Sequence, residues 1–326
     1  MTQKERYLAL TAGERPDGFV NQYSFVKLIN SDPLLNLEKR IRGKDTICPW
    51  GVSFKWPEGE PAATPYITED TKVCKDICDW ADYVKAPSLD VPEDSWLQAK
   101  ADIAAVDRSQ QLTALYCHTG IFERFHFLMG FEDALCNLLI EEEASKELLE
   151  YITNWRIQYM ERCLDHLDLD AVFFHDDWGS KISTFVSPAV WREFIKPCYE
   201  KLYGYIKSRG LRIIHHSDSY CATLVDDMVD LGIETWQGVL PSNDVPALQK
   251  HLGGKLVLMG GFDSGILDRH DATETEIRKH VADICGMCAE GGGWIPSVTN
   301  GGPGLLFPGR YEIVSDEIEK QSKIFF

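Results

Sequence analysis

The sequence lacks the features that would place the chain in a membrane or on a nucleic acid. No window approaches 18 consecutive uncharged apolar residues, the length that a membrane-spanning helix needs. Basic residues number 33 against 51 acidic ones, and the net charge of −18 would repel nucleic-acid phosphates and anionic lipids. The polar opening MTQKER contains no apolar signal core, so we expect a cytoplasmic protein.

Signature motifs of several common enzyme classes are also missing. The chain contains no G-x-S-x-G elbow, no Walker phosphate loop and no dinucleotide fingerprint, which disfavours serine hydrolases, nucleotide-driven enzymes and dinucleotide oxidoreductases. The ten cysteines are scattered, so we expect reduced thiols. The short pairs Cys74/Cys78 and Cys285/Cys288 do not supply the four suitably spaced ligands of a structural zinc site.

Short β-branched or aromatic runs alternate with longer helical patterns, which is typical of parallel βαβ units. Eight strands are predicted, at 19–25, 46–54, 112–118, 171–175, 211–216, 233–237, 256–260 and 294–298. Helices are predicted near 121–139, 143–167, 187–209, 219–231, 245–252 and 273–289. No Pro/Gly/Ser-rich linker divides the chain. We therefore predict a single-domain (β/α)8 TIM barrel over 1–326, with an elaborated N-terminal region and an insertion at 55–95.

Polar residues concentrate where the predicted strands end, which is where the active sites of parallel barrels lie. The strand interiors are apolar, so folding alone does not require this polarity. We predict catalytic roles for Asp177, His216 and Asp218. Substrate-binding roles are predicted for Trp50, His118, His175, Trp178, Gln237, Asp263 and Asn300.

His216 and Asp218 form the sharpest pair. Alternate residues of an extended segment face the same way, so both side chains can point into one site. An imidazole and a carboxylate provide half of a zinc site, with other strand ends completing it. In the alternative interpretation His216 only forms hydrogen bonds inside the barrel and Asp218 caps a helix that starts near 219. His215 points the other way and is predicted to pack.

The acidic pair Asp176 and Asp177 also has alternative roles. Adjacent residues face opposite sides of a strand, so only one of them can enter the mouth of the barrel; it could orient a ligand, accept a proton, bind metal or cap the next turn. Four aromatic residues near strand ends could line an aromatic-substrate pocket or belong to the core: Trp50, Trp178, Trp236 and Phe262.

Several ordered segments resemble the uroporphyrinogen decarboxylase superfamily. They include 6–17 (RYLALTAGERPD), 122–132 (FERFHFLMGFE), 182–197 (ISTFVSPAVWREFIKP) and 212–219 (RIIHHSDS), followed by Gln237 and the turn that ends at Asp263. The resemblance implies a barrel fold and, from the superfamily, either decarboxylation or methyl transfer in corrinoid-dependent pathways. Decarboxylases of this superfamily carry an arginine-rich N-terminal strand, whereas residues 21–25 here read NQYSF. That departure, with an acidic mouth, favours the methyltransferase branch.

The related methyltransferases hold zinc with a His-x-Cys pair and a later cysteine. His216 matches the histidine, but Asp218 stands where the first cysteine is expected, and the last strand offers Ser297, Thr299 and Asn300. An oxygen-rich site is a harder Lewis acid, suited to a methyl ether rather than a thiol.

The resemblance therefore implies a methyltransferase of the O-demethylase type, with zinc at His216 and Asp218 and the corrinoid on a partner protein. A decarboxylase-like lyase and a non-catalytic barrel that binds a small molecule stay open as alternatives. The oligomeric state is also open, with a homodimer as one alternative.

Overall fold

A curled sheet of seven parallel strands carries the fold. The computed structural model describes residues 1–36, 40–60, 62–302 and 304–326. The strands in these ranges are, in chain order, β1 (Val26–Ile29), β2 (Thr46–Ile47), β3 (Ser53–Lys55), β4 (Thr64–Pro65), β5 (Leu112–Cys117), β6 (Ala171–His175), β7 (Arg212–His216), β8 (Thr235–Val239), β9 (Val257–Phe262) and β10 (Trp294–Val298). The main sheet has the order β1-β5-β6-β7-β8-β9-β10, so its neighbours follow one another along the chain after β1.

Helices connect the strands of this sheet. The α-helices are α1 (Gln3–Thr11), α2 (Pro33–Asn36), α3 (Trp80–Tyr83), α4 (Leu97–Ala104), α5 (Ile121–Met129), α6 (Phe131–Ile140), α7 (Glu142–His166), α8 (Pro188–Val190), α9 (Lys196–Ser208), α10 (Val225–Leu231), α11 (Val245–Leu252), α12 (Ser264–Leu267), α13 (Glu274–Cys288) and α14 (Arg310–Phe325). A π-helical stretch, Trp191–Ile195, joins α8 to α9, and 3-10 turns cover Gln22–Phe25, Glu93–Trp96, Ala222–Leu224 and Pro241–Asn243. Strands that alternate with crossover helices confirm the predicted TIM-type α/β architecture.

The predicted count of eight barrel strands was wrong, since the main sheet of the described residues has seven. The segment predicted as the first strand, 19–25, ends in the 3-10 turn Gln22–Phe25, and β1 starts one residue later. Gln22 adopts a left-handed backbone conformation (φ 49°), which interrupts an extended strand. Its Oε1 accepts a hydrogen bond from the Val298 N–H of β10 at 3.4 Å, so this turn links the two edges of the sheet.

The segment predicted as the second strand, 46–54, does not enter the main sheet either. A turn at Gly51 (φ 84°), whose N–H bonds to the carbonyl of Cys48 at 2.8 Å, splits it into β2 and β3. These two strands and β4 form a small antiparallel sheet. Part of this sheet lies in the region 55–95 that was predicted as an insertion.

The helix predictions agree with the structure more closely. The predicted helix 121–139 is two helices that meet at Gly130 (φ 97°), and 187–209 contains the π-helical stretch. A capping box of Thr273 and Glu276 starts α13 within the predicted helix 273–289. In the described part of the chain, no helix combines the length and the apolar character that crossing a bilayer would require.

The amino-terminal end of the barrel is covered by α1. Tyr7 is fully buried, its ring stacks on Phe25 with centroids 4.0 Å apart, and its hydroxyl lies 3.1 Å from the Thr235 hydroxyl at the start of β8. Tyr7 and Leu10 belong to the apolar cluster that fills the barrel interior. Chemistry is therefore confined to the opposite end, where the strands terminate.

A bulge in β8 brings its backbone close to the residues that follow β7. The pairing with β9 shifts between Gln237 and Val239, and the intervening Gly238 has φ 97°. A Cβ on Gly238 would lie 2.8 Å from the Ser217 carbonyl oxygen. This close approach, as well as the backbone conformation, requires glycine here.

We expect Gly238→Ala to lower the free energy of unfolding by about 2–4 kcal/mol, since left-handed strain and a backbone clash combine. Chemical denaturation measures the change. Gly253→Ala is the matched control, because Gly253 is also left-handed (φ 55°) but has open space around it. Equal losses in the two variants would show that the contact with Ser217 is unimportant.

Candidate functional site

Histidines and carboxylates meet at the carboxyl ends of three neighbouring strands. His175 ends β6 and His216 ends β7, and the two residues are register partners across the pair. His118 follows β5, and Asp177 follows β6 by two residues. Parallel register therefore brings together side chains that lie up to 98 positions apart in sequence (His118 to His216).

His175, Asp177 and His216 form a compact group. The rings of His175 and His216 stack with centroids 4.3 Å apart, and the His118 ring lies 5.7 Å from His175. One ligand atom from each of His175, Asp177 and His216 lies within 4.8 Å of the others. Two imidazoles and a carboxylate are a combination of donors that catalytic zinc sites use.

Glu123 orients His175. Its carboxylate lies 3.3 Å from His175 Nδ1 and also accepts the Gly120 N–H at 3.1 Å, at the N-terminus of α5. His118, Glu123 and His175 form a second close group of ligand atoms. With Nδ1 of His175 on Glu123, its Nε2 is left for the group around Asp177, as in carboxylate–histidine–metal arrangements.

Asp176 holds α5 in place from the other side of β6. Its fully buried carboxylate accepts the N–H groups of Phe122 (3.0 Å) and Glu123 (2.8 Å) and the Trp178 indole N–H (3.2 Å), together with the Tyr199 hydroxyl. A carboxylate at a helix N-terminus is favoured by the exposed N–H groups and the helix dipole. Of the acidic pair, Asp177 thus faces the mouth and Asp176 caps α5.

The two mouth carboxylates share an environment that disfavours negative charge. The Asp218 N–H donates to Asp177 Oδ1 at 3.0 Å. Burial raises the pKa of Asp177 to about 8; the charges of Asp218 and Glu123 add to this effect, while His175 opposes it. Burial likewise raises the pKa of Asp218 to about 6, with His175 again opposing. Both carboxyls therefore hold protons more tightly than exposed aspartates do.

The three histidines differ in protonation. Burial and the neighbouring His175 lower the pKa of His216 to about 3, so its ring is neutral near pH 7. Burial, reinforced by Arg40, holds the pKa of His118 well below its usual value. Burial also opposes charge on His175, but the Glu123 carboxylate outweighs it and holds the His175 pKa well above the ordinary value.

Several predicted site residues lie at this mouth. His118, His175, Asp177 and His216 belong to the two groups of ligand atoms, and Asp218 adjoins Asp177. Asp177 is the aspartate whose carboxylate oxygen lies within 4.8 Å of the His175 and His216 ligand atoms, and metal binding by His216 and Asp218 stays a prediction. Gln237 contacts the site through His216, since its Oε1 lies on His216 Nδ1.

The other predicted site residues lie elsewhere. Trp50 packs edge-on against Trp155 at 5.0 Å, in an aromatic cluster on α7. Trp178 stacks on His215 at 3.9 Å behind the sheet, where His215 also binds the Tyr203 hydroxyl at 2.6 Å. Asp263 is exposed and caps α12 through the Gly265 N–H, and Asn300 is exposed at the rim.

Two of the four aromatic residues proposed as pocket lining pack as core residues near the strand ends. Trp236 is fully buried and donates its indole N–H to the Ser217 carbonyl at 2.9 Å, and Phe262 contacts Trp294 edge-on at 6.2 Å. With Trp50 and Trp178 also buried in aromatic clusters, all four contribute to packing. Their position next to polar strand ends in the sequence did not indicate which face of the strand they occupy.

Aromatic side chains that the sequence analysis missed form the floor below the histidines. Phe173 lies 5.9 Å from the His216 ring, 5.8 Å from Tyr116 and 6.3 Å from Tyr23. Tyr116 and Phe173 precede His118 and His175 by two residues, so period-2 alternation puts them on the same strand faces and could have identified them. Glu123 offered a weaker signal, its position in the first turn of the helix that follows β5.

The sequence predicts an acidic mouth, but basic side chains also lie beside it. Arg156 donates from Nη2 to the carbonyl of Thr119, next to His118, and Arg40 donates to the Thr119 hydroxyl at 3.2 Å. The charges of Arg40 and Arg124 contribute to the lowered pKa of His118. Guanidinium groups therefore lie beside Thr119, just beyond the end of β5.

The donor set suits a borderline transition-metal ion such as zinc better than it suits Ca²⁺ or Mg²⁺. Imidazole nitrogens with one carboxylate suit zinc, whereas Ca²⁺ and Mg²⁺ prefer oxygen-only shells. No cysteine belongs to either group of ligand atoms among the described residues. His175 and His216 would supply nitrogens and Asp177 an oxygen, which leaves a coordination position for substrate.

Comparison with known proteins places these features in context. The family model described as "Uroporphyrinogen decarboxylase (URO-D)" matches residues 50–306. A methyltransferase from Methanosarcina mazei has a similar structure, with a TM-score of 0.67 and 15% identity over 98% of this chain and 99% of the other. An endo-β-1,4-xylanase from Gloeophyllum trabeum is far more distant: TM-score 0.40 and 11% identity, over 71% of this chain and 81% of the other. No curated protein sequence matches the chain.

Proposed function

This chain belongs to the uroporphyrinogen decarboxylase family, and on that premise we propose that it is a methyltransferase. Its methyl donor would be a small molecule such as a methoxylated aromatic compound. The acceptor would be the cobalt of a corrinoid carried by a separate protein. The observation that carries the proposal is the group His175, Asp177 and His216, whose ligand atoms lie within 4.8 Å of one another.

Methyl transfer from an ether requires that the leaving oxygen be stabilised. A zinc ion bound by this group would supply Lewis acidity toward that oxygen. Neutral His216 is ready to ligate, and Glu123 holds the His175 ring in a fixed orientation. Asp218, beside Asp177, is placed to hold the proton that the departing alkoxide or phenoxide takes up.

The aromatic floor supports a planar donor. Phe173, Tyr116 and Tyr23 form a continuous surface below the histidines, and both tyrosines are only partly buried. An aromatic ring on this floor would bury apolar area and place an ether substituent toward the ligand group. The solved methyltransferase with the same fold supports the assignment to this branch of the family.

The proposal is tested by incubating the protein with a methoxyarene and a reduced corrinoid, and following cobalt absorbance. We expect conversion of Co(I) to methyl-Co(III), with one equivalent of the corresponding phenol. A parallel reaction with methanol tests a non-aromatic donor. Failure with every donor, in protein that contains stoichiometric zinc, would contradict methyl transfer.

Metal affinity should rise with pH. Asp177 and His175 both hold protons in the metal-free site, because their pKa values are raised, and metal binding must displace these protons. We expect the apparent association constant of Zn²⁺ to increase between pH 6 and pH 8 by roughly tenfold per unit for each proton released. Competition with a chromogenic chelator measures it. Affinity that does not change with pH would contradict this protonation pattern.

A decarboxylase-like lyase is the second candidate function. The guanidinium group of Arg40 at Thr119 favours it, because guanidinium is the natural partner of a substrate carboxylate. Release of CO₂ from uroporphyrinogen, without any metal requirement, would select this function. Tight binding of a methoxyarene without turnover in either assay would indicate a binding protein instead.

A further inference from the structure

Gln237 shares the mouth with the ligand group but does not belong to it. It lies on β8, directly across from His216 in the parallel register. Its side chain is fully buried, and its Oε1 contacts His216 Nδ1. Its Nε2 donates to the carbonyl oxygen of Thr299, beyond the end of β10, at 3.4 Å. The amide therefore bridges two strand ends.

The Thr299 carbonyl determines which way the amide of Gln237 faces. A carbonyl oxygen only accepts hydrogen bonds, so it must face the NH₂ group of the amide. The reversed orientation would set two oxygens against each other. The carbonyl oxygen of Gln237 therefore faces His216, and Nδ1 of that ring must carry the hydrogen.

We infer that Gln237 is a positioning residue that fixes the tautomer of His216. With Nδ1 protonated, the neutral ring presents the Nε2 lone pair to the space shared with His175 and Asp177. Ring contacts hold the same orientation, since His216 stacks on His175 at 4.3 Å and lies 5.9 Å from Phe173. The sequence predicts a substrate-binding role for Gln237, whereas the inferred role acts through His216.

This inference rests on the proposed function insofar as the ligand for Nε2 is a metal ion. It adds a requirement that the family resemblance does not contain. The inferred orientation of the Gln237 amide requires the backbone carbonyl of Thr299, just beyond the end of β10. The β8 bulge contributes as well, because Gly238 lets β8 approach Ser217 directly beside His216.

The tautomer can be measured without metal or activity. In metal-free wild type, ¹⁵N NMR of labelled histidine should show His216 with hydrogen on Nδ1. In Gln237→Leu, which keeps the approximate shape but removes the acceptor, the hydrogen should move to Nε2 or exchange between both nitrogens. Gln237→Glu retains an acceptor oxygen and should retain the Nδ1–H form.

Zinc affinity provides the second readout. We expect the Zn²⁺ dissociation constant of Gln237→Leu to rise about 10–100-fold, a typical effect of losing the partner that orients a ligating histidine. Gln237→Glu should bind more tightly than Gln237→Leu. Gln249→Leu is the matched control. Gln249 is buried and donates to the carbonyls of Cys288 (2.9 Å) and Gly292 (2.7 Å), away from the mouth; its loss should leave the tautomer and the zinc affinity as in wild type.

The possible failures are distinguishable. Wild-type protein that binds no zinc would overturn the proposed function and the metal-presenting role together. Wild type that binds zinc, with Gln237→Leu equal to it in affinity, would overturn the positioning role and leave the proposed function intact. A wild-type spectrum with hydrogen on His216 Nε2 would overturn the tautomer assignment whatever the metal result.

Discussion

Replacing His216 with alanine should remove bound zinc and lower the methyl-transfer rate by roughly 10²–10³-fold, because a ligand is lost and the leaving oxygen is no longer stabilised. His216 lies in the centre of the ligand group, stacked on His175 and adjacent to Asp177. Elemental analysis of purified protein measures the zinc, and cobalt absorbance measures the rate. The expected zinc content falls from one equivalent to none.

The variant should remain folded, which separates this result from general damage. Loss of the ring leaves the Gln237 oxygen without its partner and should cost about 1–3 kcal/mol of stability. His251→Ala is the control, since His251 is an exposed histidine on α11 that pairs with Asp226 at 2.8 Å. Full zinc content in His216→Ala would exclude His216 as a ligand.

Substitutions at the adjacent residues Asp176 and Asp177 should have different main effects: loss of stability at Asp176 and loss of zinc binding at Asp177. Asp176→Ala leaves the N–H groups of Phe122 and Glu123 and the polar hydrogens of Trp178 and Tyr199 without an acceptor. We expect a loss of roughly 3–5 kcal/mol in the free energy of unfolding, because several buried donors lose their hydrogen bonds at once. Because α5 also carries Glu123, zinc affinity should fall as a secondary effect.

Asp177→Ala should leave metal-free stability within about 1 kcal/mol of wild type at pH 7, since the lost hydrogen bond is offset by relief from keeping a buried carboxyl protonated above its unfolded pKa. Zinc binding should nevertheless be lost. The folded-state pKa of Asp177 is raised from 3.8 to about 8, so ionised Asp177 disfavours the folded state. Its contribution to stability is therefore greatest at low pH and declines as pH rises from about 4 to 8.

Denaturation of metal-free protein at several pH values checks both results. In wild type, the contribution of Asp177 to the free energy of unfolding falls toward pH 8. In Asp177→Ala, the free energy of unfolding should decline less over the same pH range. Asp176→Asn is a useful companion variant, because an amide oxygen still accepts hydrogen bonds and should recover part of the loss. Equal destabilisation by Asp176→Ala and Asp177→Ala would contradict the distinct placement of the two carboxylates.

Much of the barrel could be predicted from the sequence because β5 to β10 are short, mostly apolar runs, and polar residues lie at or just beyond the ends of most of them. That pattern predicted the ends at His118, His175 and His216, and parallel pairing then brought them together. The N-terminal part failed for local reasons. Gln22 in a left-handed conformation and the Gly51 turn break up segments whose composition is typical of strands.

The candidate site was partly predictable for a related reason. Alternation along a strand identifies which residues share a face, and it correctly separated His216 from His215. Alternation does not predict how the chain turns after a strand ends. It therefore did not indicate that Asp177, rather than Asp218, lies close to the His175 and His216 ligand atoms. Glu123 reaches His175 from a helix, and no local pattern in the sequence connects those two positions.

The helix α1 across the amino-terminal end has a kinetic consequence. Among the described residues, Tyr7 and Leu10 fill the amino-terminal end of the barrel interior, and the candidate site opens at the carboxyl ends of the strands. In the proposed reaction, a bulky carrier protein that presents its cobalt at this open end would block it while bound. The small donor would then enter before the carrier arrives, and the demethylated product would leave only after the carrier departs. The order of events would follow from architecture rather than from any change in shape.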